Sequence, residues 1–201
     1  MPVNLRASAG IKWSNAPQEG PIRSAIDPAT IDRARHGDPE AFEEIVSARM
    51  DAIYRLSYAI LGNEADARDA AQETFVTAWR QLGKLRDPER FDAWLQRIAV
   101  NAARMTHRAR RRRGVREIAS SQIEPSAADT ATGTDDGRRL EHALASLDVD
   151  QRSILALHHL DGWSLADLAE VLQIPVGTVK SRLYTARQAL QAALHADGAG
   201  R

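Results

Sequence analysis

The stretch LADLAEVLQIPVGTVKSRLYTARQAL, residues 165–190, decides the fold. Apolar residues recur in it at helical spacing, first over 165–172 and again over 179–190. The intervening segment, Gln173-Ile174-Pro175-Val176-Gly177, interrupts this pattern with Pro and Gly, the residues that most often break regular structure. Two short helices with so tight a break predict a helix-turn-helix. An ordinary helical hairpin is the alternative on spacing alone.

The second helix of this pair carries polar side chains at its exposed positions. They are Thr178, Lys180, Ser181, Arg182, Tyr184, Thr185 and Arg187. Such side chains donate hydrogen bonds to base edges and phosphates, and the second helix of a helix-turn-helix enters the major groove of DNA. We therefore expect this face to contact duplex DNA.

Helical patterns extend over most of the remaining chain. Asp148 with Gln151 forms a capping-box pattern, and Asp27-Pro28 and Asp38-Pro39 are typical helix starts. Shifts in composition divide the chain into a flexible extension at 1–26, a helical domain at 27–113, an acidic linker at 114–137 and a second helical domain at 138–196. No segment alternates convincingly with period two. The predicted fold class is all-α, with two small helical domains joined by a flexible linker.

Residues 97–116 contain eight arginines and no acid. On a helix, one face of this region would hold Phe91, Trp94, Leu95, Ile98, Ala102 and Met105. An adjacent stripe would hold Arg97, Asn101, Arg104, Arg108 and Arg111. Because guanidinium groups bind phosphates and stack on bases, this stripe favours a nucleic acid strand as partner. A solvated charged surface, an RNA hairpin and an anionic membrane are the alternatives.

The overall charge excludes a basic field over the whole protein, because 27 basic residues balance 27 acidic ones. Acids predominate at 38–92, where helical spacing indicates that Phe75 and Trp79 belong to a core. The chain has no Cys, which excludes disulfides and thiol chemistry. It also lacks an apolar run long enough for a membrane span and a signal-peptide pattern at its start, so we expect no membrane association and a cytoplasmic location.

Three segments in this order resemble bacterial RNA polymerase sigma factors of the extracytoplasmic-function group. They are DARDAAQETFVTAWR, FDAWLQRIAVNAARMTHRARRRR and the helix-turn-helix segment. The resemblance implies that the first domain is sigma region 2, which binds the clamp helices of core RNA polymerase and opens the minus-10 element. The second domain would be region 4, which reads the minus-35 element as duplex and sits on the polymerase flap.

Site residues follow from this resemblance by position. The core-binding segment would include Asp69, Gln72, Glu73, Phe75 and Trp79. The loop at 83–92 and the helix with Trp94, Arg97, Asn101 and Arg104, continued by Arg108 and Arg111, would bind the single-stranded minus-10 element. Thr178, Lys180, Ser181, Arg182, Tyr184, Thr185 and Arg187 would read minus-35. The family commonly has Arg where this chain has Thr185. An anti-sigma protein is a further expected partner.

Two other functions compete with this interpretation. A helix-turn-helix regulator that works without polymerase would bind its operator tightly, but it has no need for the QETF and AVNAAR segments. An enzyme with His158, His159 and Asp161 as metal ligands is disfavoured because adjacent helical side chains point about 100° apart. We therefore expect no enzymatic activity, no metal and no cofactor.

Overall fold

The computed structural model describes the backbone of residues 26–120 and 135–198 and the side chains of residues 26–113 and 137–196. Its helices are α1 (Pro28–Arg35), α2 (Pro39–Leu61), α3 (Glu64–Gln81), α4 (Phe91–Ser120), α5 (Asp135–Ala145), α6 (Val149–His159), α7 (Leu165–Leu172) and α8 (Val176–Gly198). Two 3-10 turns, Leu82–Lys84 and Pro88–Arg90, lie between α3 and α4. The described residues contain no strand, so the all-α prediction is confirmed.

Most helix starts coincide with side-chain caps that the sequence predicts. The carboxylates of Asp27 and Asp38 accept backbone N–H groups at the starts of α1 and α2, each followed by Pro at the first helical position. Asp148 with Gln151 and Ser164 with Asp167 form complete capping boxes on α6 and α7. These bonds satisfy backbone donors that a helix leaves open at its first turn.

Helices α1–α4 form the first bundle. Its buried core includes Ile45, Ile53, Leu56, Phe75, Phe91 and Leu95. An ion pair also joins α2 to α4. The Arg49 guanidinium on α2 donates to both carboxylate oxygens of Asp92, in the first turn of α4, at 2.8 and 3.3 Å. The Arg49 side chain is only 4% exposed, so this pair ties the start of α4 to α2.

Helices α5–α8 form the second bundle. Leu157 of α6, Leu168 of α7 and Val179 and Leu183 of α8 are buried at its centre. Between α7 and α8 the backbone turns through Gln173, which has φ +54° in the left-handed region and whose N–H bonds to carbonyls of α7. The short break between the two helices matches the predicted helix-turn-helix.

The two bundles pack against each other. Helix α6 contacts α2 and α4, and α7 contacts α4, so that the buried apolar residues of both bundles belong to one cluster. The sequence predicts two domains but not this contact. Helices also reach into both ends of the predicted linker, since α4 continues to Ser120 and α5 begins at Asp135. Residues 1–25 and 121–134, with the predicted extension and the centre of the linker, lie outside the described residues.

Two residues assigned to the core by helical spacing are exposed. Met105 is 67% exposed and Trp79 is 41% exposed, although Phe75 and Phe91 are buried as predicted. Spacing places a residue on a helix face, but that face is buried only where another element covers it. Trp79 therefore lies partly at the surface, and its ring packs on Phe42 with ring centroids 4.8 Å apart.

Candidate nucleic-acid interface

The predicted stripe on α4 forms a row of positive charge along one side of the helix. Asn101, Arg108 and Arg111 are exposed, and Arg97 and Arg104 are half-buried. Their spacing of three and four residues keeps them on neighbouring positions of the helix surface. Over several turns of α4, these side chains can therefore contact the phosphates of a nucleic acid strand.

Two arginines of α4 are engaged within the chain. Arg104 Nε donates to Asp150 Oδ1 of α6 at 2.7 Å, and Arg110 Nη1 donates to Asp66 Oδ2 of α3 at 3.0 Å. Arg110 lies outside the predicted stripe, and its bond to α3 shows that it faces the first bundle. Arg104 lies inside the stripe, so an acid of the second bundle occupies one of the guanidinium groups assigned to the minus-10 strand.

The aromatic residue assigned to minus-10 recognition, Trp94, lies at the start of α4. It is half-buried and packs beside Phe91, with ring centroids 5.8 Å apart. The loop at 83–92 reaches this point through the two 3-10 turns, and the Arg49–Asp92 ion pair holds its end. Buried groups thus fix the positions of the loop and the helix start. An unstacked base of a bound DNA strand would meet a preformed surface here.

His107 adds a titratable group beside the stripe. Burial, followed by the charges of Arg152, Arg111 and Arg110, lowers the pKa of His107. Burial disfavours the charged imidazolium most, and the neighbouring cations disfavour a further positive charge. The positive charge of this face therefore comes mainly from its arginines.

The recognition face of α8 is open. Lys180, Arg182 and Tyr184 are exposed, Tyr184 by 66%. Thr178 is half-buried, while Ser181 and Thr185 are exposed. The hydroxyl groups of Ser181 and Thr185 donate to the carbonyls of Thr178 and Ser181, at 3.0 and 3.1 Å. These two hydroxyls therefore donate within the helix in this structure, and the long cationic side chains are better placed to donate to DNA.

Arg187, the last predicted residue of this face, is held by a neutral histidine. Its Nε donates to His159 Nε2 of α6 at 3.4 Å. Burial, with smaller effects of His158 and Arg187, lowers the pKa of His159 to about 4. A neutral imidazole can accept this bond, whereas a protonated one would repel the guanidinium. His159 thus orients Arg187, a role that its position in the sequence did not indicate.

The three candidate metal ligands do not converge. His158 Nδ1 lies 2.9 Å from the carbonyl of Trp163, and His159 faces Arg187. Asp161 is buried against Gln96 of α4, with its Oδ2 3.2 Å from Gln96 Nε2. Among the described residues, no group of three or more acids or histidines is arranged to hold a metal ion.

A groove of about 970 Å³ runs between α2 and α3 on the first bundle. Its lining is mainly apolar and aromatic and includes Phe42, Met50, Tyr54, Gln72, Phe75 and Trp79. Three of the predicted core-binding residues, Gln72, Phe75 and Trp79, therefore meet in one groove, while Asp69 and Glu73 are exposed on α3. Phe42, Met50 and Tyr54 of α2 were not predicted as site residues. These residues line the groove because α2 packs beside α3, a contact between helices that the sequence does not predict.

Comparison with known proteins assigns both bundles to one family. Residues 45–113 match the family described as Sigma-70 region 2, and residues 137–190 match Sigma-70, region 4. The ECF RNA polymerase sigma factor SigW of Bacillus subtilis is 32% identical over 177 residues, which cover 80% of this chain and 92% of SigW. The RNA polymerase sigma-H factor of Pseudomonas aeruginosa is also 32% identical, over 84% of this chain and 93% of that protein.

Two solved structures are similar over most of the chain. CnrH, in complex with the cytosolic domain of CnrY, matches with a TM-score of 0.62 at 30% identity, over 86% of this chain and 99% of CnrH. The sigma factor RpoE from Bartonella quintana, in complex with the anti-sigma factor NepR, matches with a TM-score of 0.62 at 27% identity, over 78% and 98%. The chain therefore belongs to the ECF group of the sigma-70 family and is a sigma factor that directs RNA polymerase.

Proposed function

We propose that this chain binds core RNA polymerase and brings it to promoters by two separate DNA contacts. The first bundle captures the single-stranded minus-10 element along α4, and the second bundle reads the minus-35 duplex with α8. The observation that supports this proposal most directly is the segregation of charge. A chain with no net charge carries an arginine-rich stripe on one helix and an exposed cationic face on another.

Strand capture at minus-10 requires no catalytic group from this chain. Unstacking a base costs a few kcal/mol, which contacts to the displaced strand must offset. Arg97, Arg108 and Arg111 supply phosphate contacts, and Asn101 supplies an amide that can bond to a base edge. The chain acts by binding alone, with no cofactor and no metal.

Recognition at minus-35 rests on Lys180, Arg182, Tyr184 and Arg187. Lys180 and Arg182 lie near the start of α8, the end of a recognition helix that enters the major groove. The family commonly has Arg where this chain has Thr185, so α8 can make fewer bidentate contacts with bases than it does in those relatives. We therefore expect its minus-35 sequence to differ from that of relatives with arginine there.

The groove between α2 and α3 is the proposed contact with the polymerase clamp helices. It combines an exposed aromatic edge with Met50, the kind of residues enriched at the centre of interfaces. Asp69 and Glu73, exposed on α3, would pair with bases of the partner, and Arg68 and Arg80 in the groove lining would pair with its acids. An anti-sigma protein is a second proposed partner, since the similar RpoE was solved with its anti-sigma factor NepR.

Promoter-specific transcription tests the function as a whole. Purified chain is added to core polymerase and a library of genomic promoter fragments, and the transcripts are sequenced. We expect initiation from a defined subset of promoters, with Lys180→Ala and Arg182→Ala changing the minus-35 sequences that are selected. Absence of any promoter-specific transcript would contradict the proposal, and tight operator binding by the chain without polymerase would favour a stand-alone regulator.

Core binding is tested with Trp79→Ala. Because Trp79 is 41% exposed in the groove, its loss should weaken binding to core polymerase by at least tenfold. Its ring also packs on Phe42, so the unfolding midpoint is measured in parallel and binding is compared where the variant is folded. Tyr184→Ala is the matched control, since Tyr184 is also an exposed aromatic residue but lies on the face assigned to DNA. Equal effects of the two substitutions on core binding would contradict the assignment of the groove.

A further inference from the structure

Arg187 lies in a row with two other side chains of the recognition face. Lys180, Tyr184 and Arg187 are separated by four and three residues, so they lie along one side of α8, and all three are exposed. The guanidinium group of Arg187 also contacts a second helix, through His159 at the end of α6. The two residues are 28 positions apart in the sequence, and the packing of α6 on α8 brings them together.

The contact involves two nitrogens of the guanidinium group. Nε and Nη2 of Arg187 each lie 3.4 Å from Nε2 of His159. Because both nitrogens meet the same atom, one edge of the planar guanidinium group faces the imidazole, and this contact fixes the orientation of the plane. Nη1 does not belong to that edge, so its two N–H groups can donate to a nucleic acid.

The ring of His159 is held in turn from the interior of the second bundle. It meets the ring of His158 edge-on, with centroids 4.8 Å apart and planes at 72°. His158 Nδ1 lies 2.9 Å from the carbonyl oxygen of Trp163 and carries the donated proton, because a carbonyl only accepts. Trp163 is 3% exposed, and its backbone N–H donates to the carbonyl of Leu157 at 3.2 Å. A line of contacts thus runs from a buried residue through two histidines to Arg187.

The contact needs a neutral imidazole at His159. An imidazolium has two donors and no acceptor, so it could not accept from a guanidinium group. Burial, followed by the charges of His158 and Arg187, lowers the pKa of His159 to about 4. Near pH 7 the imidazole is therefore neutral and accepts from Arg187.

We propose that His159 is a positioning residue for minus-35 binding, which holds the Arg187 guanidinium in place for a phosphate of the duplex. The first residues of a recognition helix contact bases, and Arg187 lies about three turns beyond the start of α8, where a phosphate is the fitting acceptor. An arginine that is already ordered loses less conformational entropy on binding, which strengthens the contact. This inference rests on the proposed function of α8.

Binding of a minus-35 duplex tests this role. The chain bound to core polymerase is titrated with a fluorescent duplex that carries the minus-35 element of a selected promoter and ends before minus-10. We expect His159→Leu, which removes the acceptor, to weaken binding about fivefold, as for the lost order of one long side chain. His159→Gln should keep most of the affinity, because its amide oxygen can accept. His195→Leu, at an exposed histidine of α8, is the matched control and should leave binding unchanged.

A double-variant comparison separates positioning from an effect on the fold. Once Arg187→Ala has removed the guanidinium group, His159→Leu should cause no further loss of affinity. An equal loss with and without Arg187 would mean that His159 acts through the stability of the bundle, and it would overturn the proposal. Unchanged binding by His159→Leu, or equally weak binding by His159→Gln, would overturn it as well.

The order of the Arg187 side chain can be measured without DNA or polymerase. In the isotope-labelled free chain, NMR should show that the Nε–H of Arg187 exchanges with water more slowly than that of Arg182, an exposed arginine of the same helix. His159→Leu should abolish this difference, and His159→Gln should keep it. Equal exchange at Arg187 in wild type and in His159→Leu would overturn the proposal, whatever the leucine does to stability.

The outcomes also separate this inference from the proposed function. If the wild-type holoenzyme binds the minus-35 duplex and His159→Leu binds it equally well, the positioning role is wrong and the function of α8 stands. If the wild-type holoenzyme binds no minus-35 duplex, the proposed function of α8 is wrong, and the role of His159 in DNA binding fails with it.

Discussion

The two helices proposed to contact DNA, α4 and α8, differ in how much of their cationic surface the fold leaves exposed. On α8, Lys180, Arg182 and Tyr184 are exposed. On α4, Arg104 is bound by Asp150, and Arg97 is half-buried. The stripe with the denser charge is thus the one that the rest of the chain partly covers.

This difference shows why charge alone does not measure how accessible a binding surface is. An arginine-rich helix left open would bind any nucleic acid through its phosphates, since that term is independent of sequence. On α4, the bond from Arg104 to Asp150 leaves one guanidinium group fewer available for such contacts in this structure. Helix α8 has fewer cations and would bind nucleic acid less strongly without regard to sequence, and its cations are exposed.

The stability of the shared core shows whether the two bundles unfold together. Leu157 of α6 is completely buried, and Leu157→Ala should destabilise the protein by about 2–5 kcal/mol through the cavity it leaves. Because the bundles share one core, urea unfolding followed by Trp fluorescence should still show a single transition, shifted to lower urea. Gln188→Ala, an exposed change on α8, is the control. Two separate transitions would mean that the bundles are independent.

The next effect concerns Asp161 at the contact between the bundles. Its pKa is raised to about 7 in the folded chain from an ordinary value of 3.8. Between these values the folded chain holds a proton that the unfolded chain has lost, so stability should fall as pH rises from 4 to 7. We expect Asp161→Asn to remove most of this decrease in urea unfolding at pH 5 and 8, and Asp51→Asn, an exposed change on α2, to leave it in place. An identical pH dependence in wild type and Asp161→Asn would contradict this burial.

Two arginines of the α4 stripe, Arg108 and Arg104, should differ in how much they contribute to DNA affinity. In the free chain, Arg108→Ala should reduce the dependence of single-stranded DNA affinity on salt by about 0.7 in log-log slope, as for one lost phosphate contact. Arg104→Ala should change this slope less, because its guanidinium is already bound to Asp150. Fluorescence anisotropy over a series of salt concentrations gives both slopes. Equal decreases would show that the ion pair does not limit Arg104.

The smallest effect lies in the turn that presents α8. Gln173 has φ +54°, a conformation that costs L-residues about 1–2 kcal/mol but suits Gly. Gln173→Gly should stabilise the chain by about 0.5–1 kcal/mol, after the larger entropy of the unfolded Gly is subtracted. Thermal unfolding measures the gain, and Gln173→Ala, which keeps the strain, should show none. A loss of stability with Gly would mean that the Gln173 side chain has a contact of its own.

Much of the fold was predictable because its signals are local. Asp38, Asp148 and Ser164 cap helices through bonds to residues two or three positions away, so their effect is visible in the sequence. The same holds for the turn of the helix-turn-helix. Trp79 shows the limit, since its spacing matched that of a core residue but the described part of the chain leaves 41% of it exposed.

The candidate sites were predictable in part. The positions of the arginines on α4 and of the cations on α8 follow from helical geometry, and the sigma-70 region families match residues 45–113 and 137–190. The groove residues Phe42, Met50 and Tyr54 were missed because the pairing of α2 with α3 decides which of their faces meet. The assignment of individual residues to minus-10, minus-35 and core polymerase stays a prediction.

The helices, many of their caps, the helix-turn-helix and the separation of charge can be predicted from sequence, since each depends on residues a few positions apart. The bond from Arg104 to Asp150, 46 residues away, and the burial of Asp161 on Gln96, 65 residues away, depend on the packing of distant helices. Such contacts depend on how two bundles of apolar faces pack, and many packings are compatible with the same local pattern. The bundle contact therefore decides which of the charges are free to meet DNA.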